Sequence, residues 1–495
     1  MRILNADKLA SHGNVAGRRA VLEILEASMQ AADPYYNTLK LLRRENNRLV
    51  VGNPDFEPSG SPRTGPEVFD LDRLGRIYVI GACKGIQSVA KAIEEVLGDR
   101  LTGGCVIAKH GDDPLLERIE VVYGAHPVPN EGCAEGCRRI QEMCRDLRED
   151  DLVFTIVGNG VSSLLTLPSP GISVEDVRQM TYLMQIDRGA PTQDLNQVRN
   201  MIDQMKGGRI SRLIQPAMAI HIFAYDPDGN SMRPGHGYDH LMGENRFLHT
   251  MPMNVSYDSA IAALRKWNAW DETPRSIRDF LQRADPEFDT VKRPEFERMR
   301  SRIFGVMPRR IGTVPTAVAK ARALGYTPYV MSRLFQAEAR EAGFAMSAIA
   351  LSVEREGTPF EPPCALITSG ELLVTVGDET GVGGRNQEYA LAAALKIAGS
   401  ENVVVGAVDT DGTDGPGTQF SEHAKHIPCL TGGLVDGQTF TEAMEKVWPS
   451  TRPPVRHDTT PALWALDSGI VATHNIAVGD LGIVLIQGRS ETRLN

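Results

Sequence analysis

Long apolar runs are missing from this sequence of 495 residues. A helix needs about 18 or more consecutive apolar residues to cross a bilayer, and no stretch of the chain provides them. The first residues also lack the apolar core of a signal peptide. Cysteine is scarce, with seven residues in the chain, and a low, odd number does not suit a disulfide framework. We therefore expect a cytoplasmic protein that does not enter a membrane.

Positive charge is also limited. The chain has 53 lysine and arginine residues against 63 aspartate and glutamate residues, and its formal net charge is −10. A general binder of nucleic acid or of anionic membranes carries a basic surface, so we expect neither partner. The partner we expect is a small molecule, and basic residues around an anionic ligand must then stand at specific positions.

Several common catalytic fingerprints are absent. The chain has no G-x-x-x-x-G-K-[ST] phosphate loop, no H-E-x-x-H zinc site and no G-x-S-x-G nucleophile turn. The segment GACKGI departs from the G-x-G-x-x-G dinucleotide pattern. Cys133, Cys137 and Cys144 share a predicted helix, but no second cluster of Cys or His lies at zinc-finger spacing. Buried thiols are therefore favoured there over a metal site.

Apolar strands alternate with helices in the N-terminal half. The pattern predicts a strand over 77–80, a glycine-rich loop and a helix. The same order repeats with a strand over 152–157 and a Gly-Asn-Gly turn over 158–160. This alternation is typical of a parallel α/β sheet, whose ligands bind beyond the carboxyl ends of the strands.

Length and composition indicate more than one domain. At about 100–200 residues per domain, a chain of 495 residues has room for two or three. The stretch over 259–302 is helical and rich in charge, and a second α/β region begins near Ile311. We therefore expect an N-terminal domain over 1–290 and a C-terminal domain over 300–495.

Basic side chains beside glycines are the first candidates for binding an anion. Lys84 lies in a glycine-flanked turn between a strand and a helix, where backbone N–H groups and a lysine suit a phosphate. Arg199, Lys206 and Arg209 lie near Gly207-Gly208, which lets a ligand approach the backbone. The alternatives at this point are a solvated loop lysine and a solvated basic helix face.

The C-terminal half adds an arginine and a cluster of acids. Arg385 follows a glycine-rich loop and begins a helix, where the helix dipole disfavours a cation, so we expect a bound anion that compensates. Asp409, Asp411 and Asp414 crowd the end of a predicted strand and suit Mg²⁺. The alternative for these acids is an ordinary turn, because Asp-Gly pairs form turns readily. Together, the basic segments and the acids fit the binding of a nucleotide triphosphate and Mg²⁺ next to an anionic substrate.

The same segments resemble the glycerate 2-kinase family, or type II glycerate kinases, whose C-terminal half is the MOFRL domain. The segments GVGGRNQEYALAAAL and VDTDGTDGPG are similar to that domain's two signature segments. VIGACKGIQSVAKAIE, LNQVRNMIDQMKGGRIS and GAHPVPN resemble segments of the family's N-terminal half. The match runs over nearly the whole chain in the family's order, and it is specific because several motifs occur together.

The resemblance implies a fold, a reaction and a set of residues. The fold is a Rossmann-like parallel sheet with helices followed by an α/β MOFRL domain, with the active site in the cleft between them. The reaction is phosphorylation of glycerate to 2-phosphoglycerate with ATP and Mg²⁺. Lys84 matches the family's catalytic lysine and Arg385 its catalytic arginine. The metal ligands expected are Asp409, Asp411 and Asp414; the substrate- or nucleotide-binding residues expected are Gly81, Gly85, Gly158, Asn159, Gly160, Arg199, Lys206, Arg209, Gly383 and Gly384.

The sequence also departs from the family's pattern. Asn159 replaces a glycine of the family's SGGGSALL loop, and the polar segment over 225–250 stands where the family has SDVxGDxxxxIASGPT. This segment provides Asp226, Asp228, Asn230, His236, His240 and Asn245, a polar set suited to extra hydroxyl groups if the segment folds over the site. The alternative for this segment is a solvated insertion remote from the cleft. A kinase for a four- or five-carbon aldonate is therefore an alternative. A non-catalytic anion-binding protein is the alternative of another class. Some relatives are named hydroxypyruvate reductases, but nothing in this sequence favours hydride transfer.

Overall fold

The chain folds as two compact units. The computed structural model describes residues 1–228, 237–376, 381–415, 417–418, 421–447, 457–474 and 479–490. The parallel-sheet unit comprises Pro34–Pro308, and the mixed-sheet unit comprises Met1–Asp33 together with Arg309–Asn495. No helix in these described ranges has the length and apolar character needed to cross a bilayer.

The strands and helices of the described residues are numbered in chain order. The strands are β1 (Leu42–Glu45), β2 (Arg48–Val51), β3 (Glu67–Asp70), β4 (Ile77–Ala82), β5 (Gly103–Lys109), β6 (Glu120–Gly124), β7 (Leu152–Gly158), β8 (Met218–Ala224), β9 (Ser301–Gly305), β10 (Thr327–Phe335), β11 (Cys364–Gly370), β12 (Val403–Asp409), β13 (Gly432–Asp436), β14 (Gly469–Ile470) and β15 (Asp480–Ile486). The helices are α1 (Ala6–Leu9), α2 (Val15–Ala31), α3 (Pro34–Leu41), α4 (Ile86–Leu97), α5 (Glu131–Cys144), α6 (Val161–Leu164), α7 (Val174–Thr181), α8 (Thr192–Met201), α9 (Arg209–Ile214), α10 (Tyr238–Gly243), α11 (Tyr257–Lys266), α12 (Arg275–Arg283), α13 (Arg293–Phe296), α14 (Thr313–Ala323), α15 (Ala339–Glu356), α16 (Arg385–Lys396), α17 (Thr439–Lys446) and α18 (Thr459–Ala465).

The main sheet of the parallel-sheet unit is parallel throughout its described strands. Its order is β6-β5-β4-β7-β8-β9. Strands β7 and β8 are buried along their whole length, as expected for strands covered on both faces. The chain builds the sheet from β4 to β6 in one direction and from β7 to β9 in the other. The order therefore reverses between β4 and β7, and in open α/β sheets ligands bind at such a switch point.

The strands expected from the sequence in this unit are confirmed. The strand predicted over 77–80 is β4, and the strand predicted over 152–157 is β7. A smaller antiparallel sheet, β1-β2-β3, belongs to the same unit. Helix α7 is followed by a π-helical turn, Tyr182–Asp187, and π turns are frequent at functional sites.

The sheet of the mixed-sheet unit has the order β10-β11-β15-β12-β13-β14 in the described residues. Strand β10 is parallel to β11, and the other neighbouring pairs are antiparallel. Apolar clusters cover both faces of this sheet, one with residues of α2 and α14 and the other with residues of α15 and α16. Both units are therefore of the α/β class, as the sequence predicted.

The first 33 residues fold with the C-terminal part of the chain, which differs from the domain over 1–290 expected from the sequence. Val21, Ile24 and Leu25 of α2 share a buried cluster with residues of β11, β12 and β15. Arg18 is fully buried, and its Nε donates to Asp436 at 2.6 Å. Apolar periodicity predicts α2 and its buried face, but it does not tell which sheet covers that face.

Candidate active site

The loops that follow β4 and β7 lie side by side at the switch point. The backbone N–H of Lys84 donates to the carbonyl of Asn159 at 2.8 Å. Gly160 has a φ of +87°, and a Cβ atom there would lie 3.0 Å from Cγ of Lys84 and 3.4 Å from Cδ2 of His126. Lys84, Asn159, Gly160 and His126 therefore come together at the carboxyl end of the parallel sheet.

A pocket of about 340 Å³ opens at these loops. It lies near the lower end of the range of small-molecule sites, about 300–1,000 Å³. Its lining combines polar side chains with the aromatic rings of Tyr225 and Phe247. The lining includes Asn159, Ser162, Gln185, Thr192, Arg199, Tyr225 and Phe247.

Two buried polar groups that line the pocket lack a partner among the described residues. Arg199 is 3% exposed, and its Nε has no hydrogen-bond acceptor there. Its Nη2 has only long contacts, at 3.3 Å to Thr181 Oγ1 and 3.5 Å to the Pro127 carbonyl. Oε1 of Gln185 has no donor. Buried polar groups are normally satisfied, so a pocket lined by these groups is suited to a polar ligand.

The electrostatics of the pocket favour an anion. Burial lowers the pKa of Arg199 to about 10, which leaves the guanidinium charged at neutral pH. Burial also lowers the pKa of His126 to about 4, and the charges of Lys84, Lys109 and Arg199 contribute to this shift. Burial is the main cause of this shift, and the contribution of the three cations shows that the local potential is positive.

Lys206 and Arg209, which the sequence grouped with Arg199, have internal partners. Nζ of Lys206 donates to Asp203 at 2.6 Å and to Thr166 at 2.9 Å, and the side chain is 1% exposed. Arg209 donates to the backbone carbonyls of Asn200, Lys206 and Phe288. Neither residue lines the pocket, whereas Arg199 does, so Arg199 is the one of the three that stays a candidate for binding a ligand there.

At three of the positions where a ligand-binding glycine was expected, the fold itself requires glycine. A Cβ atom on Gly81 would overlap the Ile156 carbonyl, and one on Gly158 would lie 3.0 Å from the Ala224 carbonyl. Gly85 precedes α4 with a φ of +64°. Close strand packing and the turn into α4 therefore account for these three, whereas Gly160 and Asn159 line the pocket.

The polar segment over 225–250 contributes aromatic rather than polar side chains to the pocket. Tyr225 and Phe247 line it and pack edge to face at 5.3 Å. The polar side chains of the segment are engaged within the unit: Asp228 accepts from Ser59, Asn245 accepts from Leu248, and His240 contacts Glu244. Asn230 and His236 lie outside the described residues.

Arg385, in the mixed-sheet unit, is the first residue of α16 and is surrounded by carboxylates. Its Nε donates to the two oxygens of Asp480 at 2.8 Å and 2.9 Å, and its Nη2 donates to Asp409 at 2.8 Å. Its Nη1 lies 3.5 Å from Glu371, whose side chain is 71% exposed. Burial opposes the charge, but Asp480 and Asp409 raise the pKa of Arg385 above its ordinary value. The group that compensates the charge of this arginine is therefore a carboxylate of the protein, chiefly that of Asp480.

The three aspartates predicted to share a cation have separate partners. Asp414 accepts from the backbone N–H groups of Asn386 and Gln387 and so caps α16. Asp411 accepts from the backbone and hydroxyl of Thr413 in a tight turn. Asp409 accepts from Arg385. Burial raises the pKa of Asp414 to about 6.

In the described part of the chain, the acids predicted to bind Mg²⁺ do not form a site with three protein ligands. Within the described ranges, no three His, Cys, Asp or Glu side chains are arranged to hold a metal. This finding covers the acid cluster and also Cys133, Cys137 and Cys144, which are buried thiols. In this structure Asp409, Asp411 and Asp414 thus form an ion pair, a tight turn and a helix cap. Their binding of Mg²⁺ through one or two carboxylates together with phosphate oxygens stays a prediction.

Gly383 and Gly384, also expected at a ligand site, approach other parts of the same unit closely. A Cβ atom on Gly384 would overlap Asp414, and one on Gly383 would overlap the hydroxyl of Thr459. The glycines therefore allow the loop before α16 to pack against the loop that carries Asp414 and against the start of α18.

Sequence reasoning missed Asp480, Gln185 and Ser162. Asp480 precedes the apolar run of β15 as Asp409 ends that of β12, and antiparallel pairing makes the two residues partners. An acid at the edge of an apolar run was the available signal, but the direction of β15 was not. Ser162 lies two residues after the Gly-Asn-Gly turn, a position that does point to the pocket.

Family profiles match both halves of the chain. A domain of unknown function (DUF4147) matches residues 20–233, and the MOFRL family matches residues 364–475. The first span contains Lys84 and most of the pocket, and the second contains Arg385 and its aspartates other than Asp480.

Relatives match over most of the chain. The glycerate 2-kinase of Pyrococcus horikoshii is 29% identical over 430 residues, which cover 87% of this chain and 88% of the relative. The D-glycerate 2-kinase of Thermotoga maritima is 30% identical over 371 residues, which cover 74% and 80%. The crystal structure of a glycerate kinase from Thermotoga maritima has a TM-score of 0.71 at 26% identity and covers 95% of this chain and 99% of that one. The chain therefore belongs to the glycerate 2-kinase family, a family of phosphotransferases with an alcohol group as acceptor.

Proposed function

We propose that this chain transfers the γ-phosphoryl group of ATP to the 2-hydroxyl of D-glycerate and releases 2-phosphoglycerate and ADP. The observation that carries the proposal is the buried, charged guanidinium of Arg199 in a small pocket, with Nε lacking an acceptor in the described part of the chain. The carboxylate of a small hydroxy acid would provide an acceptor for the guanidinium of Arg199. Membership of the family supports a kinase reaction, and the resemblance supports ATP as donor.

The roles of the residues follow from the chemistry of phosphoryl transfer. The substrate hydroxyl oxygen bonds to the γ-phosphorus while the bond to the β–γ bridging oxygen breaks. The protein mainly positions the reactants and stabilises charge. Arg199 binds the carboxylate, because a planar fork suits two carboxylate oxygens. Lys84, which is exposed beside the pocket, supplies a point charge to the transferring phosphoryl group.

Arg385 is assigned to the phosphates of the nucleotide. Asp480 and Asp409 fix the orientation of its Nε and Nη2. Nη1 lies beyond ordinary hydrogen-bond distance of Glu371 and can donate to a phosphate oxygen. The aspartates are therefore proposed to position the arginine rather than to bind the ligand.

Mg²⁺ enters this proposal as part of the donor substrate, the Mg²⁺ complex of ATP. Bound with the nucleotide, the ion would neutralise charge on the phosphates during transfer. Since Asp409, Asp411 and Asp414 have internal partners, no resident metal is assigned to them.

A second candidate substrate is a four- or five-carbon aldonate. The observation that favours it is Asn159, whose amide can donate and accept and which lines the pocket where the family's loop has glycine. If extra hydroxyls bind there, an aldonate has a higher kcat/KM than glycerate, and Asn159→Gly shifts the preference towards glycerate.

The experiment is an ADP-release assay with Mg-ATP and a panel of D-glycerate, L-glycerate and four- and five-carbon aldonates. Enolase, which dehydrates 2-phosphoglycerate but not 3-phosphoglycerate, identifies the product. D-glycerate as best substrate with an enolase-active product supports the main proposal. An aldonate preferred by more than about tenfold, reversed by Asn159→Gly, supports the second candidate. Absence of ADP release with every acid, despite binding, indicates a non-catalytic anion-binding protein.

A further inference from the structure

Ser162 is a hydroxyl at the pocket with two partners inside the protein. It lies in α6, directly after the turn that follows β7, and is 8% exposed. Nδ2 of Asn196 donates to its Oγ at 3.0 Å. Nε2 of His249 lies 3.0 Å from the same Oγ.

Asn200 determines which nitrogen of His249 carries the proton. Its Nδ2 donates to the carbonyls of Asn196 at 2.8 Å and Arg246 at 3.2 Å. Its Oδ1 is therefore the atom that faces Nδ1 of His249 at 3.0 Å, and Nδ1 must donate to it. Nε2 then has a lone pair and accepts the hydroxyl hydrogen of Ser162. The imidazole stays neutral, because burial and the charges of Lys206 and Arg199 lower the pKa of His249 well below its ordinary value.

This chain of hydrogen bonds fixes the polarity of Ser162. A hydroxyl has one hydrogen to donate and two lone pairs that accept. His249 takes the hydrogen and Asn196 occupies one lone pair. Because Ser162 lines the pocket, the second lone pair is available to a ligand, and only a donor can use it.

Helix α8 carries Arg199, which is proposed to bind the carboxylate, and also Asn196 and Asn200, which orient the hydroxyl of Ser162. Asn196, Arg199 and Asn200 lie three and four positions apart and so share one helix face. Arg199 and Ser162 line the same pocket. In a 2-hydroxy acid, the carboxylate can accept hydrogen bonds from Arg199, and the hydroxyl on the adjacent carbon can donate one to Ser162.

We propose that Ser162 accepts a hydrogen bond from the substrate hydroxyl, and that His249 and Asn200 are positioning residues that make the pocket select 2-hydroxy acids against 2-keto acids. The inference rests on the proposed function, because it concerns the acid bound beside Arg199. A 2-keto acid places a carbonyl oxygen against the lone pair of Ser162 and leaves both acceptors without a donor. Unpaired polar groups of this kind lower affinity by about 10- to 100-fold.

The test compares dissociation constants measured by calorimetry without nucleotide. The two probes are D-glycerate and its 2-keto analogue, hydroxypyruvate. Wild type is expected to bind glycerate about 10-fold or more tightly than the keto acid. In Ser162→Ala glycerate binding weakens by about 10-fold while keto-acid binding changes by less than about threefold, so the preference disappears. In His249→Leu the hydroxyl hydrogen is released, can donate to the keto oxygen, and keto-acid affinity rises.

Ser163→Ala is the matched control. Its hydroxyl also lies at the pocket but donates to the Ala125 carbonyl at 2.9 Å, so the ratio of the two dissociation constants should stay as in wild type. Thermal midpoints verify folding, and if His249→Leu does not fold, the ratio in Ser162→Ala decides. Equal losses for both acids in Ser162→Ala, an unchanged ratio, or undetectable glycerate binding by folded wild type overturns the inference.

The outcome is separable from that of the proposed function. ADP release from glycerate with an unchanged ratio in Ser162→Ala leaves the kinase proposal standing and overturns the role of Ser162. A ratio that disappears in Ser162→Ala without ADP release supports the selection of hydroxy acids and overturns the kinase proposal.

Discussion

The backbone of Lys84 is fixed by its hydrogen bond to Asn159, while its side chain is exposed at the switch point. Lys84→Ala should reduce kcat for glycerate by at least about 100-fold, because one preorganised charge at a transition state contributes about 3 kcal/mol or more. The thermal midpoint should stay unchanged, since the side chain is exposed. The measurement is steady-state ADP release together with thermal unfolding.

Lys91 provides the control for Lys84. It lies on α4, close to Glu94 and Glu95, and is not part of the proposed site. Lys91→Ala should turn over as wild type does. A folded Lys84→Ala protein with wild-type kcat would remove Lys84 from the mechanism.

The contacts that Arg385 makes depend on the shape of its guanidinium as well as on its charge. Its guanidinium donates to Asp480 and Asp409 at once, and a lysine ammonium cannot match both in that geometry. Arg385→Lys should lower the free energy of unfolding by about 1–3 kcal/mol, because a buried carboxylate loses its charged donor. Urea unfolding measures the change. Arg340→Lys, an exposed arginine beside Glu341, should show no loss, and equal stability of both variants would contradict the assigned geometry.

At the scale of residues, the sequence identified the basic side chains but did not predict their hydrogen-bond partners. Arg199, Lys206 and Arg209 look alike in one dimension, since each is basic and near glycines. Only the fold brings Asp203 to Lys206 and three carbonyls to Arg209. Nε of Arg199 and Nε of Arg209 both lack an acceptor in the described structure, but of the three residues only Arg199 lines the pocket. The roles of Lys84 and Arg385 in catalysis stay predictions.

Two strand ends of the mixed-sheet unit meet because β12 and β15 are antiparallel. Their register pairs Asp409 with Asp480, and the start of α16 places Arg385 against both. The sequence indicated a strand that ends in acids and a helix that begins with arginine. It could not give the register, since pairing between strands about 70 positions apart depends on how the whole sheet assembles.

This arrangement makes stability depend on pH. Burial and the neighbouring Asp411 raise the pKa of Asp409 to about 8, although Arg385 opposes the shift. An unfolded aspartate titrates near pH 4, so between about pH 4 and pH 8 the folded state binds the additional proton. The stabilisation from this group is complete below about pH 4 and is lost as pH rises through about 8, with a slope of up to about 1.4 kcal/mol per pH unit.

Calorimetric scans at several pH values test the prediction. The melting temperature of wild type should fall between about pH 6 and pH 8, and Asp409→Asn should show a smaller fall, since it lacks the titrating carboxyl. Glu422→Gln, which changes a carboxyl that is 93% exposed, should follow wild type. Parallel curves for wild type and Asp409→Asn would show that Asp409 is already ionised across this range.

At the scale of the whole molecule, the buried ion pair of Arg18 and Asp436 joins the N-terminal residues to the C-terminal sheet. Arg18→Ala should lower the free energy of unfolding by about 3–5 kcal/mol, because it leaves a buried carboxylate without its cation. Denaturant unfolding followed by circular dichroism measures the loss. Arg19→Ala changes the next, exposed residue and should cost little. A similar loss in both variants would mean that the ion pair is not the source of the stability.

The sequence predicted the α/β class, the two-part organisation and the order of the motifs, because these depend on apolar periodicity and local turns. It did not predict that the first 33 residues join the mixed-sheet unit. The apolar face of α2 could pack on either sheet. Buried contacts such as that of Arg18 with Asp436 determine that it packs on the sheet of the mixed-sheet unit.

The separation of Arg18 and Asp436 by 418 positions has a consequence for synthesis on the ribosome. At about 5–20 residues per second, translation from one to the other takes roughly 20–80 seconds. The parallel-sheet unit is one uninterrupted segment, Pro34–Pro308, and can emerge and fold within that interval. Helix α2 must wait for β12 and β15 with its apolar face still unpaired. Helix α2 is therefore made early and buried late, and a ribosome-associated chaperone should act on it during the interval.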